Sequence, residues 1–197
     1  MGIIGRVLSG LTALFLLPAA PVLVTGGLVT PALAEEPLTV ANLERGAIAD
    51  VVAGQYGPAD EKIRAAIGLA DNDEFNRLAL LQGLIATRMG GDGRSLLGAA
   101  IGAHESTAWP RPIITYLLGE RSLQQVADGV RRSGDNMLVK QQQICELSFY
   151  AGAFALADGE KRFAGQLFDK ALKTCDRADP VYTLTVADIA TLAAPEP

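Results

Sequence analysis

The chain has 197 residues, 17 basic and 22 acidic side chains, a net charge of −5, one histidine and two cysteines. Its basic residues are dispersed, with Arg131-Arg132 and Lys161-Arg162 the adjacent pairs of the C-terminal half. Without clustered Lys and Arg there is no track for a phosphate backbone, so nucleic acid is not an expected partner. A lone imidazole leaves no paired-histidine metal site and no second ring for a proton relay.

The first element is a leader. Arg6 is the sole charge before Glu35, an apolar stretch runs from Leu11 to Val24, and Ala32-Leu33-Ala34 precedes Glu35. A positive start, an apolar middle and a small-residue exit are the parts of a secretory signal peptide. The 28 uncharged residues are long enough to cross a bilayer. Pro18, Pro21, Gly26, Gly27 and Pro31 interrupt such a helix, which favours cleavage after Ala34. Residues 1–34 are therefore expected to be a signal peptide, and residues 35–197 one soluble periplasmic domain with no stable membrane anchor.

Beyond the leader the pattern is helical, without the apolar alternation of half-buried strands. Asp71-Asn72-Asp73 ahead of the run Phe75 to Met89 predicts an N-cap followed by first-turn acids. His104 predicts a helix end before Thr107 and Pro110 restart the chain, and Trp109 a packing anchor beside that proline. The helix from Met137 to Ala157 places Ile144, Leu147, Ala151 and Phe154 on a core face. Asp158-Gly159-Glu160 is a turn, with Gly159 suited to a left-handed helix stop. From Arg162 to Cys175 the apolar stripe is Phe163, Ala164, Leu167, Phe168, Ala171, Leu172 and Cys175. Gly90-Gly91-Asp92-Gly93 lacks the Lys and the preceding strand of a phosphate loop, and no cofactor is expected.

These segments echo one another. Gly152-x-x-Ala155-x-x-x-Gly159 recurs as Gly83-x-x-Ala86-x-x-x-Gly90 and loosely as Gly46-x-x-Ala49-x-x-x-Ala53. Ala164-x-x-x-Phe168-x-x-Ala171-Leu172 matches Ala59-x-x-x-Ile63-x-x-Ala66-Ile67. The offsets approach multiples of about 34 residues, the tetratricopeptide period. The unit after Gly90 fits poorly through Leu96, Ala100 and Ala103. An all-α fold of about four stacked antiparallel hairpins is expected, with an irregular bundle as the competing architecture.

Three segments extend that expectation: Trp109-Pro110-Arg111-Pro112-Ile113-Ile114-Thr115-Tyr116-Leu117-Leu118-Gly119 with Ser122-Leu123, Cys145-Glu146-Leu147-Ser148-Phe149-Tyr150-Ala151-Gly152, and Leu167-Phe168-Asp169-Lys170-Ala171-Leu172. Together they resemble the C-terminal half of NlpI-type periplasmic tetratricopeptide proteins, over roughly residues 107 to 192. The resemblance implies a scaffold that brings peptidoglycan hydrolases and processing proteases together in the cell envelope. No cysteine stands near position 35 to carry the lipid of that family.

Partners of such a stack are envelope proteins or peptides. The face of the 137–157 helix opposite its core stripe offers Glu146, Phe149, Ala153 and Leu156 as partner-binding candidates. The competing reading packs Phe149 and Leu156 on the preceding repeat. A second functional class is a helical hydrolase or glycan-binding protein with a site around His104 and Trp109. No catalytic set is legible, since His104-Glu105-Ser106 are chain neighbours rather than a triad. Cys145 and Cys175 are equidistant from the 159–160 turn, so an antiparallel pair brings them to disulfide range.

Export has a direct consequence. Mass spectrometry of the native protein is expected to find Glu35 at the N-terminus, and intact residues 1–34 in the membrane fraction would overturn the leader assignment.

Overall fold

Four helices end at a glycine in the left-handed backbone region that other residues avoid, and the next helix starts within a few residues. The computed structural model describes residues 38–193 apart from 103 and 105. The expected leader lies outside them, as do Ala103 and Glu105. Nine helices occur among the described residues: α1 (Val40–Val52), α2 (Tyr56–Ile67), α3 (Asn72–Arg88), α4 (Gly93–Gly102), α5 (Arg111–Leu117), α6 (Leu123–Arg132), α7 (Met137–Ala157), α8 (Lys161–Thr174) and α9 (Pro180–Ala193). The fold is all-helical, as expected.

The four turns share one construction. Gly54, Gly90, Gly119 and Gly159 have φ of 73°, 80°, 78° and 81°. The amides of Gln55, Gly91, Glu120 and Glu160 then reach back to the carbonyls of Asp50, Ala86, Thr115 and Ala155. This is the six-residue bond of a Schellman stop, which satisfies a helix-end carbonyl that has no partner in the helix. Four hairpins follow: α1–α2, α3–α4, α5–α6 and α7–α8, with α9 packed on α8. The expected cap of α3 is present as a capping box, Asp71 Oδ1 accepting from the amides of Asp73 and Glu74. Ser122 and Gln125 repeat that device on α6.

The glycine echoes mark where one helix of a pair receives a side chain of the other. A Cβ on Gly83 would lie 2.8 Å from Leu97 of α4, and one on Gly152 2.8 Å from Phe168 of α8. In the second helices Ala59, Ile63 and Ala66 match Ala164, Phe168 and Ala171, all fully buried. The unit that fitted poorly has the same pattern in a different register: Gly93-x-x-x-Leu97-x-x-Ala100-Ile101, 34 residues after Ala59. Leu97, not Leu96, is the buried residue. Gly93 replaces an alanine because a Cβ there would sit 2.1 Å from the Gly83 carbonyl oxygen. The stripe of α8 holds except at Phe163, which is 37 % exposed at the stripe's edge.

Helix α7 departs from the expected two-faced form. Residues 147–155 are buried on every side, and α7 packs against α3, α5, α6, α8 and α9. From Leu147 onward the helix is apolar nearly all round, the signature of a central rather than a peripheral segment. Two further contacts join distant parts: α3 meets α7, and α1 meets α9. The guanidinium of Arg88, at the end of α3, binds both carboxylate oxygens of Asp188 in α9, a residue 1 % exposed. Residues Glu36–Pro197 form one compact unit. No helix among the described residues is long and apolar enough to cross a membrane.

Cys145 in α7 and Cys175 at the end of α8 lie with their sulfurs 2.09 Å apart and their Cα atoms 4.9 Å apart. The Cα separation falls in the range expected from their symmetric placement about the turn. Both are buried. Closing this loop stabilises the folded chain by about 3–4 kcal/mol in the chain-entropy model. Thiol labelling of the unreduced, denatured protein is expected to recover no free thiol, and reduction to lower the melting temperature by several degrees. Recovery of two labelled cysteines would show that the protein does not carry the bond.

Candidate functional site: a pocket among the odd-numbered helices

Three of the four first helices, α1, α3 and α7, turn a stripe toward a common cavity of about 350 Å³. From α1 come Ala41, Glu44, Arg45 and Ile48, spaced three, one, three along a single face. α3 supplies Arg77 and Leu81; α7 supplies Gln142, Glu146 and Tyr150, each four apart. Pro110 enters from the turn before α5, and Asp179, Pro180, Val181 and Leu184 from the start of α9. Every wall is therefore a helix or a helix start, held by the packing described above.

The polar lining is a connected set. Trp109 Nε1 donates to Glu146 Oε2 at 2.6 Å, and Gln142 Nε2 donates to Glu146 Oε1 at 3.0 Å. The same Gln142 amide donates to Asp179 Oδ2, so one amide bridges two carboxylates. Asp179 Oδ1 accepts from the Val181 amide at 2.7 Å, holding the first turn of α9. On the opposite wall Arg77 Nε donates to Glu44 Oε1 at 2.7 Å. Burial pushes the Glu146 carboxyl above the usual carboxylate range; the Trp109 and Gln142 bonds pull it back, while Asp179 pushes it further up. Burial likewise drives the Tyr150 phenol far above its ordinary value, aided by Glu146 and Glu44. Tyr150 therefore enters the pocket wall as a neutral hydroxyl.

Of the four partner-binding candidates, Glu146 alone lines this pocket. Phe149 is 0 % exposed, edge-on to Tyr150 at 5.0 Å and 6.4 Å from Phe168. Ala153 is buried and Leu156 half-buried. The four do not form an open face, because the side of α7 opposite the first stripe is covered by other helices. Around the second class of site, His104 and Trp109 have separate neighbours. The His104 ring stacks on Phe75 at 3.6 Å, and the indole of Trp109 is turned to Glu146. The Arg111 guanidinium binds the carbonyls of Ile101, His104 and Ser106, tying the α4–α5 connection together.

The sequence reading did not find Glu44, Arg77, Gln142 or Asp179. A signal existed in part: Gln142, Glu146 and Tyr150 form a polar row at four-residue spacing that runs into the apolar half of α7. Chemically the set combines hydrogen-bond acceptors, two guanidiniums and an apolar floor, which suits recognition of a polar chain with an apolar anchor. Among the described residues no three metal-binding side chains converge.

The Glu146 shift has a testable sign. Its folded carboxyl keeps a proton at a pH where the unfolded chain has lost it, so its contribution to stability is fullest at acid pH. That contribution declines as the pH rises from the ordinary glutamate range through the folded value. Melting curves from pH 4 to 7 are expected to show the parent losing stability relative to Glu146→Gln as the pH rises. Parallel curves would remove Glu146 as the group responsible. No protein-family model matches the chain, and no curated protein matches it, so the pocket itself carries the functional argument.

Proposed function

We propose that the chain is an exported periplasmic adaptor, a tetratricopeptide-like stack of four hairpins whose concave side holds a short segment of another envelope protein. The observation that carries this reading is the convergence of α1, α3, α7 and α9, with Pro110, on one pocket. In helical repeat stacks the first helices line the inner surface, and that surface is where partners bind. The common turn and the 34-residue spacing of the Ala59 and Gly93 patterns support the repeat assignment. The contact of α1 with α9 narrows the inner surface from a groove to a pocket.

The volume suits two or three side chains of an extended peptide rather than a docked helix. Ile48, Leu81, Val181 and Leu184 offer an apolar seat for one of them. Of the three acids, Glu44 is paired with Arg77 and Glu146 is raised toward its neutral form, which leaves Asp179 facing Arg45 among hydrogen-bonding groups. That balance favours an amide-rich polar stretch. The likeness to NlpI-type proteins supports hydrolases or proteases of peptidoglycan remodelling as the partner class.

Ala41 is exposed at the pocket mouth, away from the buried core. Ala41→Trp is expected to close the mouth at a stability cost within about 0.5 kcal/mol. A photo-reactive residue at Ile48 is expected to crosslink an envelope protein, and Ala41→Trp to abolish the product without lowering the melting temperature. Capture that persists in Ala41→Trp, or that is equal from a photo-reactive residue at exposed Arg64, would overturn the pocket as the binding site.

A further inference from the structure

At the end of the α7–α8 hairpin opposite the Gly159 turn, three consecutive large apolar residues face solvent. Met137, Leu138 and Val139 are 76 %, 78 % and 40 % exposed. The other exposed large apolar residues among those described stand singly in the chain. A single exposed leucine calls for no explanation, whereas a contiguous patch at the tip of an element does. These three occupy the first turn of a helix capped by Asn136, whose side chain accepts from the Val139 amide at 3.0 Å. None of the three belongs to the hydrophobic core or packs against it.

Their surroundings differ in charge from the rest of the molecule. Lys140 Nζ donates to the Arg131 carbonyl at 3.0 Å, which sets the last turn of α6, with Arg131 and Arg132, beside the patch. Gln141 Nε2 donates to the Thr174 carbonyl at 3.0 Å, which brings the last turn of α8, with Lys173, to the same end. Arg177 follows in the next connection. Three acids stand among these five bases: Asp128 is paired with Arg131, while Asp135 and Asp176 keep their charge and accept from Ser133 and Gln143 and from the Ala178 amide, which leaves the bases in excess. The first turn of α7 holds no acidic residue, so its amide ends add positive potential. On a chain with net charge −5, this end is a local basic rim around an apolar tip.

We infer that this tip is a peripheral docking point for an anionic lipid surface, inserting Met137 and Leu138 at the headgroup boundary while Arg132, Lys140 and Lys173 meet lipid phosphates. Apolar side chains flanked by basic ones are the combination that binds bilayer interfaces reversibly. A neutral apolar partner would gain nothing from the rim, and a second copy would set two such rims against each other. The tip lies at the first turn of α7, and none of Met137, Leu138 or Val139 lines the pocket, whose nearest α7 residue is Gln142.

Co-sedimentation of the exported protein with vesicles tests it. Parent and variants share one N-terminus, so any contribution of that segment cancels in the comparison. Binding is expected to vesicles containing phosphatidylglycerol, to fall away on phosphatidylcholine alone, and to weaken as salt is raised. Met137→Ser with Leu138→Ser is expected to weaken binding by about tenfold or more. Arg132→Glu is expected to weaken it by a similar factor. Both should melt with the parent, since the replaced side chains are exposed. Equal sedimentation of parent and variants, no sedimentation of the parent, or a parent dimer that the serine variant dissolves would each overturn the inference.

Discussion

Helix α7 can be enclosed on all sides only if its neighbours reach it without steric conflict and without stranding a charge. Between Leu147 and Ala157 its side chains are apolar or small apart from Ser148 and Tyr150. Gly152 admits the Phe168 ring where even a methyl group would collide. A larger residue there would push α8 away and open the α7–α8 core, so close packing is the constraint from which the rest follows. With α7 fixed in the middle, α3, α5, α6, α8 and α9 become layers around it. The first helices of the pairs are then obliged to face one another across a small space.

That space is a pocket rather than core because its walls carry charge that is satisfied locally. Glu146 is tolerable at this depth because both its oxygens accept hydrogen bonds, from Trp109 and Gln142. Asp179 performs two tasks with one carboxylate, holding α9's first turn and receiving the Gln142 amide. Such a network fixes side-chain positions before any ligand arrives, which lowers the ordering cost of binding. Arg94 works similarly at the far ends of the helices. Its guanidinium pairs with Asp158 at 2.6 and 2.9 Å, binds the Leu117 carbonyl and lies over the Phe154 ring. Three successive hairpins are tied there by one side chain.

What was legible in the sequence was local. The Asp71 cap, the Gly159 stop, the α8 stripe and the cysteine pairing all depend on residues near one another or symmetric about a turn. The Gly83 and Gly152 echoes were legible because close helix approach within a hairpin demands a small residue at a fixed spacing. The unit after Gly90 fitted poorly through Leu96, Ala100 and Ala103 because the matching positions stand three residues earlier, at Gly93, Leu97 and Ala100. The two-faced reading of α7 failed for another reason. Its periodicity described one contact surface, whereas the chain's lack of charge from Leu147 to Ala157 signalled burial all round. The pocket was hidden because Glu44, Arg77, Glu146 and Asp179 come from four elements, and no local rule pairs them.

The same long-range order explains how the pocket keeps its shape. On α3 the positions 77, 81, 84 and 88 fall along one stripe, and on α9 the positions 181, 184 and 188 do the same. The first members of each stripe line the pocket, Leu84 is buried between, and the last members are the ion pair Arg88–Asp188. A buried pair of this kind adds little net stability over an apolar contact of the same size, because desolvation offsets attraction. Its effect is on register: sliding α9 along its axis by one residue would separate the charges and leave Asp188 unpaired in the core. The Arg88 guanidinium also lies over the Tyr56 ring, 5.9 Å from its centroid, a second contact that holds it in place. The pair thus fixes where Val181 and Leu184 stand against Arg77 and Leu81. Contact between α9 and α1 then sets the remaining wall, and the width of the pocket follows from a charge pair that no ligand touches.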